Sequence, residues 1–493
     1  MFVAALAALA SAPPARAQPR EEPAEPPAAS PDGIEVAGWN AGATRVESRA
    51  DAWGGERPSF GGDGAPLSQR VASYRLEAVL DPVKHTVEGK EHLDWTNRSA
   101  RPVRSLYFHL YLNGFEGQGS TFLSEMAHYY QFRDGIELKQ GEWGYIELKS
   151  VSQAGKTAAW AFVHPDGGPP TDHSVVRVDL PEPVAPGATA AIDIAFHDQL
   201  PRVIARTGYF KQYHLVAQWF PKVGVLELPG ERGATAPRWN CHEFHVHSEF
   251  YADFGNYEGV ITAPPDYLVR ATGEEQGAPQ ATDQGLAHRF RQDDVHDFVF
   301  TAWNRFAEPL TGVYEGPGSP KVQVEVLYPA EYAESARIAL QATLDSLKYF
   351  SETLGPYPYR HVTCVVPPFN AGESGGMEYE TFFTTLGTTS RVLKGVLRYV
   401  TVHEFGHGYF MGLLASNEFE EPFLDEGMNE LWDVRMLSAE TIDIALPPLA
   451  RALGLRVPPV SYFDFERWRG TQRFMADPIA GNSWNRYSSG SYS

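Results

Sequence analysis

Between Val71 and about Phe300 apolar and polar residues alternate with a period of two, the signature of half-buried strands. Tyr74, Leu76, Ala78 and Leu80 share one face of a predicted strand. Val87, Gly89, Glu91, Leu93 and Trp95 alternate with Thr86, Glu88, Lys90, His92 and Asp94 in the next. Leu106, Phe108, Leu110 and Leu112 mark a third, and Val176, Val178, Leu180 and Ile192, Ile194, Phe196 mark two more. The pattern runs on through EFHVHSEFYADF and YEGVITAP. Short strands with Pro, Gly and Asp turns between them predict an all-β antiparallel, sandwich-like domain over residues 68–304. Residues 18–67 are rich in Pro, Gly, Ala and Glu and have no periodicity, which predicts a flexible lead-in.

Near Asn304 the texture changes. KVQVEVLYP reads as one more strand. From Pro329 to Leu354 the apolar positions Leu340, Leu344, Leu347, Phe350 and Leu354 fall at helical spacing, ended by Gly355-Pro356. A second helix is expected from Val392 to Ala415, with Val396, Val400, Met411 and Leu414 on its apolar face. Residues 305–493 therefore predict an α+β domain, and the chain as a whole is expected to be multidomain, as its 493 residues also suggest. No internal repeat is visible.

Composition narrows the function classes. Hydrophobic residues make up 43% and charged residues 21%, a globular mixture. The formal net charge of -21 repels phosphates and anionic lipid, so nucleic acid is excluded as the expected partner. Residues 1–17, MFVAALAALASAPPARA, carry an apolar run from Phe2 to Ala10 and a small-x-small pattern at Ala15-Arg16-Ala17. They read as a signal peptide without its basic start, which implies a secreted or periplasmic protein, with an Ala/Pro-rich disordered tail as the alternative. No other apolar run approaches the ~20 residues of a membrane span. Cys241 and Cys364 could pair, and spacing alone does not decide it.

The chemistry is concentrated in the second helix. His403-Glu404-Phe405-Gly406-His407 is HExxH, and residues i and i+4 of a helix project to one side, so both imidazoles can reach one ion. Two His leave a tetrahedral zinc short of a protein ligand and a water. Glu404 stands one residue beyond His403, close enough to take a proton from that water. Eighteen residues then separate His407 from Glu426, room for the helix to end, turn at about Asn417 to Pro422 and bring a carboxylate back as third ligand. Glu430 and Asp433 fall on the face of Glu426 and could orient a ligating His, although a solvated acidic face has the same spacing. Upstream, Gly375-Gly376-Met377-Glu378-Tyr379 precedes FFTTLGTT, which reads as a strand. The glycines let a substrate backbone come close, and Glu378 could bind a positively charged amino terminus.

Together these residues resemble the aminopeptidase N-type family of gluzincin metallopeptidases, which includes leukotriene hydrolase. The family's HExxH, eighteen residues and Glu match at His403, Glu404, His407 and Glu426, and its Leu-Asn/Asp-Glu-Gly is similar to Leu424-Asp425-Glu426-Gly427. Its amine-binding Gly-x-Met-Glu-Asn is similar to Gly375, Gly376, Met377 and Glu378, with Tyr379 in place of Asn. The resemblance covers roughly Val71 onward and implies one Zn2+ per chain, peptide substrates, and a thermolysin-like fold for the second domain. It further implies that Gln218 stands near the substrate amine, where an ordinary buried Gln is the alternative. A transition-state Tyr is expected at Tyr492, with Tyr487 as the alternative. Gly490-Ser491-Tyr492-Ser493 reads as the start of the family's Tyr motif, which implies a chain truncated at its C-terminus.

The expected reaction is therefore release of amino-terminal residues from peptides. An endopeptidase or epoxide hydrolase on the same zinc site is the first alternative, and a non-catalytic peptide-binding homologue the second. CHEFHVH at Cys241–His247 suggests a second metal site, yet alternation sets Phe244, Val246 and Phe250 against Cys241, His245 and His247, and a lone strand cannot wrap a tetrahedral ion. These are expected to be structural strand residues.

Overall fold

The computed structural model describes residues 34–35, 66–126, 141–246, 248–390, 393–442, 453–454 and 460–462. The expected signal peptide, residues 1–17, lies outside them, as does most of the expected lead-in. Two residues of that lead-in, Ile34 and Glu35, pair with Trp239 and Arg238.

The first part of the chain is built on a large sheet whose long strands are β1 (Ala72–Asp81), β2 (Thr86–Thr96), β3 (Tyr145–Gln153), β4 (Thr189–Gln199), β5 (Gly255–Ala263) and β6 (Gly285–Val295). Their spatial order is β6-β5-β1-β2-β4-β3. Alternation is visible in the burial: every second residue of β1, from Ala72 to Leu80, is buried. A four-stranded sheet containing Val103–His109 and Val175–Val184 supplies the facing layer, and Leu76, Trp95 and Ile192 share one core with Leu106, Phe108 and Val176. Trp239 bridges the layers, 5.6 Å from Trp95 and 5.6 Å from Tyr107 between ring centroids.

Two expectations need correction here. The large sheet is not purely antiparallel, because β5 pairs parallel to β1, Tyr257 opposite Tyr74. Period-two alternation is the same in both pairings, and β5 returns to the sheet after a long excursion through other strands rather than through a hairpin. The strand expected to reach Leu112 ends at His109, and Tyr111–Phe115 is a buried 3-10 turn.

The second part holds a five-stranded sheet: β7 (Leu310–Tyr314), β8 (Val322–Leu327), β9 (His361–Val365), β10 (Met377–Tyr379) and β11 (Phe382–Thr384), in the order β7-β8-β9-β11-β10. Among the described residues the longer helices beside it are α1 (Ala333–Thr353), α2 (Lys394–Gly406) and α3 (Glu426–Leu437). α1 buries Ala336, Ala339, Ala342, Leu347 and Phe350 against β7, β8 and α2. α2 is buried from Tyr399 to Gly406. Its expected extension to Ala415 fails: the helix stops at Gly406, a separate turn spans Met411–Leu414, and Ala415 takes a left-handed φ of 46°. Leu414, assigned to the apolar face, is 65% exposed because it lies beyond that break. A β-carbon on Gly406 would stand 2.0 Å from Asn429 Oδ1, so glycine is what lets α3 close on α2. Among the described residues no helix is long and apolar enough to cross a membrane.

Candidate functional site

The end of α2 and the start of α3 bring three side chains to one point. His403 Nε2 and His407 Nε2 are 3.2 Å apart. Glu426 Oε2 stands 3.2 Å from the first and 3.5 Å from the second. Two ligands about 2.0–2.1 Å from an ion at the tetrahedral angle stand about 3.3–3.4 Å apart, so the triangle has the size that zinc requires. All three residues are buried.

The other ring nitrogens are spoken for. His403 Nδ1 is 2.7 Å from Asp433 Oδ2 and 3.8 Å from Glu430 Oε2. His407 Nδ1 is 2.6 Å from Asp425 Oδ2, whose Oδ1 accepts from the Met411 N–H at 2.9 Å. A carboxylate on Nδ1 fixes the tautomer and leaves the Nε2 lone pair for a metal. Burial lowers both imidazoles, but the carboxylates outweigh it. Asp433 and Glu426 hold His403 well above its ordinary value, and Asp425, Glu378 and Glu426 raise His407 to about 10. The donor set, two imidazoles and one carboxylate at this spacing with carboxylates behind both rings, fits zinc.

Glu404 follows His403 on α2. Its Oε2 is buried and accepts no hydrogen bond from the described residues. Burial raises Glu404 to about 6, against the pull of His403 and His407. Gly376 stands beside it: a β-carbon there would be 3.4 Å from Glu404 Oε1, and the residue's φ of +71° suits glycine. Gly375 has a packing role, since a β-carbon would meet the Thr385 carbonyl at 2.6 Å.

Glu378 lies on β10, the edge of the sheet, and is 4% exposed. One of its oxygens is within 4.8 Å of ligand atoms of His407 and Asp425. With Met377 it lines a small cavity walled also by Phe250, Tyr251, Tyr379 and Met411. Gln218 Nε2 donates to Asp297 Oδ2 at 2.5 Å and Lys222 Nζ donates to its Oε1 at 2.7 Å, and both partners line the same cavity as Glu378. Tyr492 and Tyr487 lie outside the described residues.

The sequence reading missed Asp425, Glu249 and Glu418. Asp425 carried a signal, since it adjoins Glu426. Glu249 and Glu418 did not: one sat in a stretch read as strand, the other in an acidic run within the eighteen-residue gap. Oxygens of Glu249, Glu378 and Glu418 lie within 4.8 Å of one another.

CHEFHVH is not a strand. Cys241–Val246 is buried on all sides without ladder pairing, and His247 lies outside the described residues. His242 reaches Asp166 at 2.7 Å and Glu420 at 3.1 Å, and His245 reaches Glu125 at 2.7 Å. Glu243 accepts from the backbone of Asp166 and Gly168. Period-two alternation failed here because polar residues are buried by pairing with one another, so both faces are inside. Cys241 and Cys364 are both buried free thiols.

The fold is similar to that of an M1 zinc metallopeptidase of known structure. A mutant of the M1 zinc metallopeptidase from Deinococcus radiodurans matches with a TM-score of 0.52 at 15% identity, over 86% of this chain and 81% of that one. The same protein bound to a Tyr-Ser-Ala substrate matches with a TM-score of 0.53 at 14% identity, over 86% and 81%. Its unmutated form gives 0.51 at 14%, over 88% and 82%. No protein-family model and no curated protein sequence matches the chain.

Proposed function

We propose that this protein is a zinc-dependent metallopeptidase of the aminopeptidase type. The observation that carries the reading is the triangle of His403 Nε2, His407 Nε2 and Glu426 Oε2 next to a buried carboxylate oxygen of Glu404 that accepts no hydrogen bond from the described residues. His403, His407 and Glu426 would hold the metal. Zinc supplies Lewis acidity at such a site, acidifying a water and polarising a carbonyl.

The chain's own residues do the rest. Glu404 takes the proton of the attacking water and returns it to the nitrogen of the leaving amine, which balances the hydrolysis. β10 offers its free edge to an extended peptide backbone, and Glu378 on that strand binds the ammonium of the amino terminus. In Deinococcus radiodurans the protein of similar fold has been captured with a tripeptide substrate, which suits a peptide here too. The apolar run and cleavage pattern in residues 1–17 support action outside the cytoplasm.

Glu404→Gln tests the reading. The amide accepts no proton, so peptide hydrolysis is expected to fall at least ~100-fold while zinc content by metal analysis stays at that of the unmodified protein. Near-normal turnover with the metal in place would overturn the assignment of Glu404 as base.

A further inference from the structure

Beside the zinc triangle stands a second group of buried side chains. Glu378 on β10, Glu418 in the turn before α3, and Glu249 in the segment that leads into β5 are 4%, 2% and 2% exposed. One oxygen of each lies within 4.8 Å of the other two. Three like charges so close and so dry repel one another unless a cation joins them.

The protein itself supplies only part of that cation. Arg206 Nη1 meets Glu249 Oε1 at 2.6 Å, while Glu249 Oε2 is buried and takes no hydrogen bond from the described residues. Glu418 has neither hydrogen bond nor ion pair among the described residues. Burial, then the charges of Asp425, Glu378, Glu249 and Glu426, push it well above the usual carboxylate range. Glu418 and Glu378 both line the cavity between Phe250, Tyr251 and Met411; its wall also carries Lys222 and His296, already paired with Asp297 at 2.8 Å and Glu380 at 2.6 Å.

Nor can the turn relax to separate the charges. Phe419 stacks on the His242 ring at 4.1 Å, and Glu420 is bound by Arg232 at 2.8 Å, Asn240 at 2.9 Å and His242 at 3.1 Å. Arg206, which holds Glu249, also donates to the Gly376 carbonyl at 2.9 Å, next to the strand that carries Glu378. The carboxylates are thus braced against one another from three directions.

We propose that Glu418 and Glu249 complete the amine site with Glu378, so that the three carboxylates accept the three N–H donors of a primary α-ammonium. Three acceptors about 2.8 Å from one nitrogen at the tetrahedral angle stand about 4.6 Å apart, which lies inside the observed limit. The assignment rests on the aminopeptidase reading; the Gln218 amide is held by Lys222 and Asp297 on the wall of the same cavity. It makes the enzyme selective for an unsubstituted amino terminus, by number of donors as well as by charge.

The test uses the zinc-loaded protein, Phe-Ala-Ala, its N,N-dimethyl form and its N-acetyl form. Glu418→Gln is expected to lower kcat/KM on Phe-Ala-Ala roughly 10- to 150-fold, mainly through KM, with zinc content and melting temperature unchanged. The slow cleavage of the acetyl peptide should not move. In the unmodified protein the dimethyl peptide, still cationic but with one donor left, should be cut at least tenfold more slowly than Phe-Ala-Ala, a comparison that needs no variant to fold. If the protein prefers free over acetylated peptide but Glu418→Gln stays within twofold, or the dimethyl peptide is cut as fast as the primary amine, the three-carboxylate site is wrong and the aminopeptidase reading stands. If free and acetylated peptides are cut equally, the aminopeptidase reading falls and takes this site with it.

Discussion

At the scale of single residues, the telling feature is which nitrogen of each histidine is left to a metal. Asp433 and Asp425 occupy the Nδ1 sides of His403 and His407, at 2.7 and 2.6 Å, and both carboxylates are buried. The pairing of His403 and His407 was legible because a motif of i and i+4 histidines has one helical geometry, and the distant Glu426 through its resemblance to the family signature. Asp433 was legible as one of two readings of its face, and contact resolved it. Asp433→Asn keeps the shape but replaces a charged acceptor with an amide, so the His403 ring loses its orientation and some basicity. Zinc affinity, measured by competition with a chromophoric chelator, is expected to fall ~10- to 100-fold. An unchanged affinity would mean that Asp433 only fills space.

At the scale of elements, the segment Cys241–Val246 and the turn Asn417–Glu421 act as a clasp between the two parts of the chain. Burial lowers His242 and His245, yet Asp166 and Glu420 raise His242 to about 9, and Asp166 and Glu125 raise His245 to about 10. A histidine raised above its unfolded value of about 6.5 contributes stability that is full below that pH and is lost as pH rises through the folded value. The melting temperature of the metal-loaded protein, followed by circular dichroism, should therefore decline between pH 7 and 10. Glu420→Gln removes one of the charges holding the His242 proton and should flatten that decline. An equal slope in the two proteins would exclude the clasp as its source. None of this was legible along the chain, since the clasp is a set of pairs between residues far apart in sequence.

At the scale of the molecule, His403 and His407 end one helix and Glu426 begins another, so an ion bound to all three ties α2 to α3. Zinc at about a hundred times its dissociation constant adds about 2.7 kcal/mol to the state that binds it. For a unit of 150–250 residues that corresponds to about 5–10 °C in melting temperature. EDTA should produce a loss of that size and re-addition of zinc should reverse it. A melting curve indifferent to both would sink the metal site.

What the sequence determined by itself is whatever follows from local periodicity and spacing. Alternating burial in β1 and β2, the helix α1 and the shared side of His403 and His407 belong to that class, because a period of two or of 3.6 fixes which side chains share a face, while Glu426 was matched through the family resemblance. What only the tertiary structure decided is whatever depends on a partner brought in from elsewhere. The parallel pairing of β5 with β1, the buried network around His242, the break of α2 at Gly406 against Asn429, and the meeting of Glu249, Glu378 and Glu418 are of this kind. A carboxylate on its own is read as solvated, and only the packing of other elements around it shows that it has been taken out of water and given neighbours of the same charge.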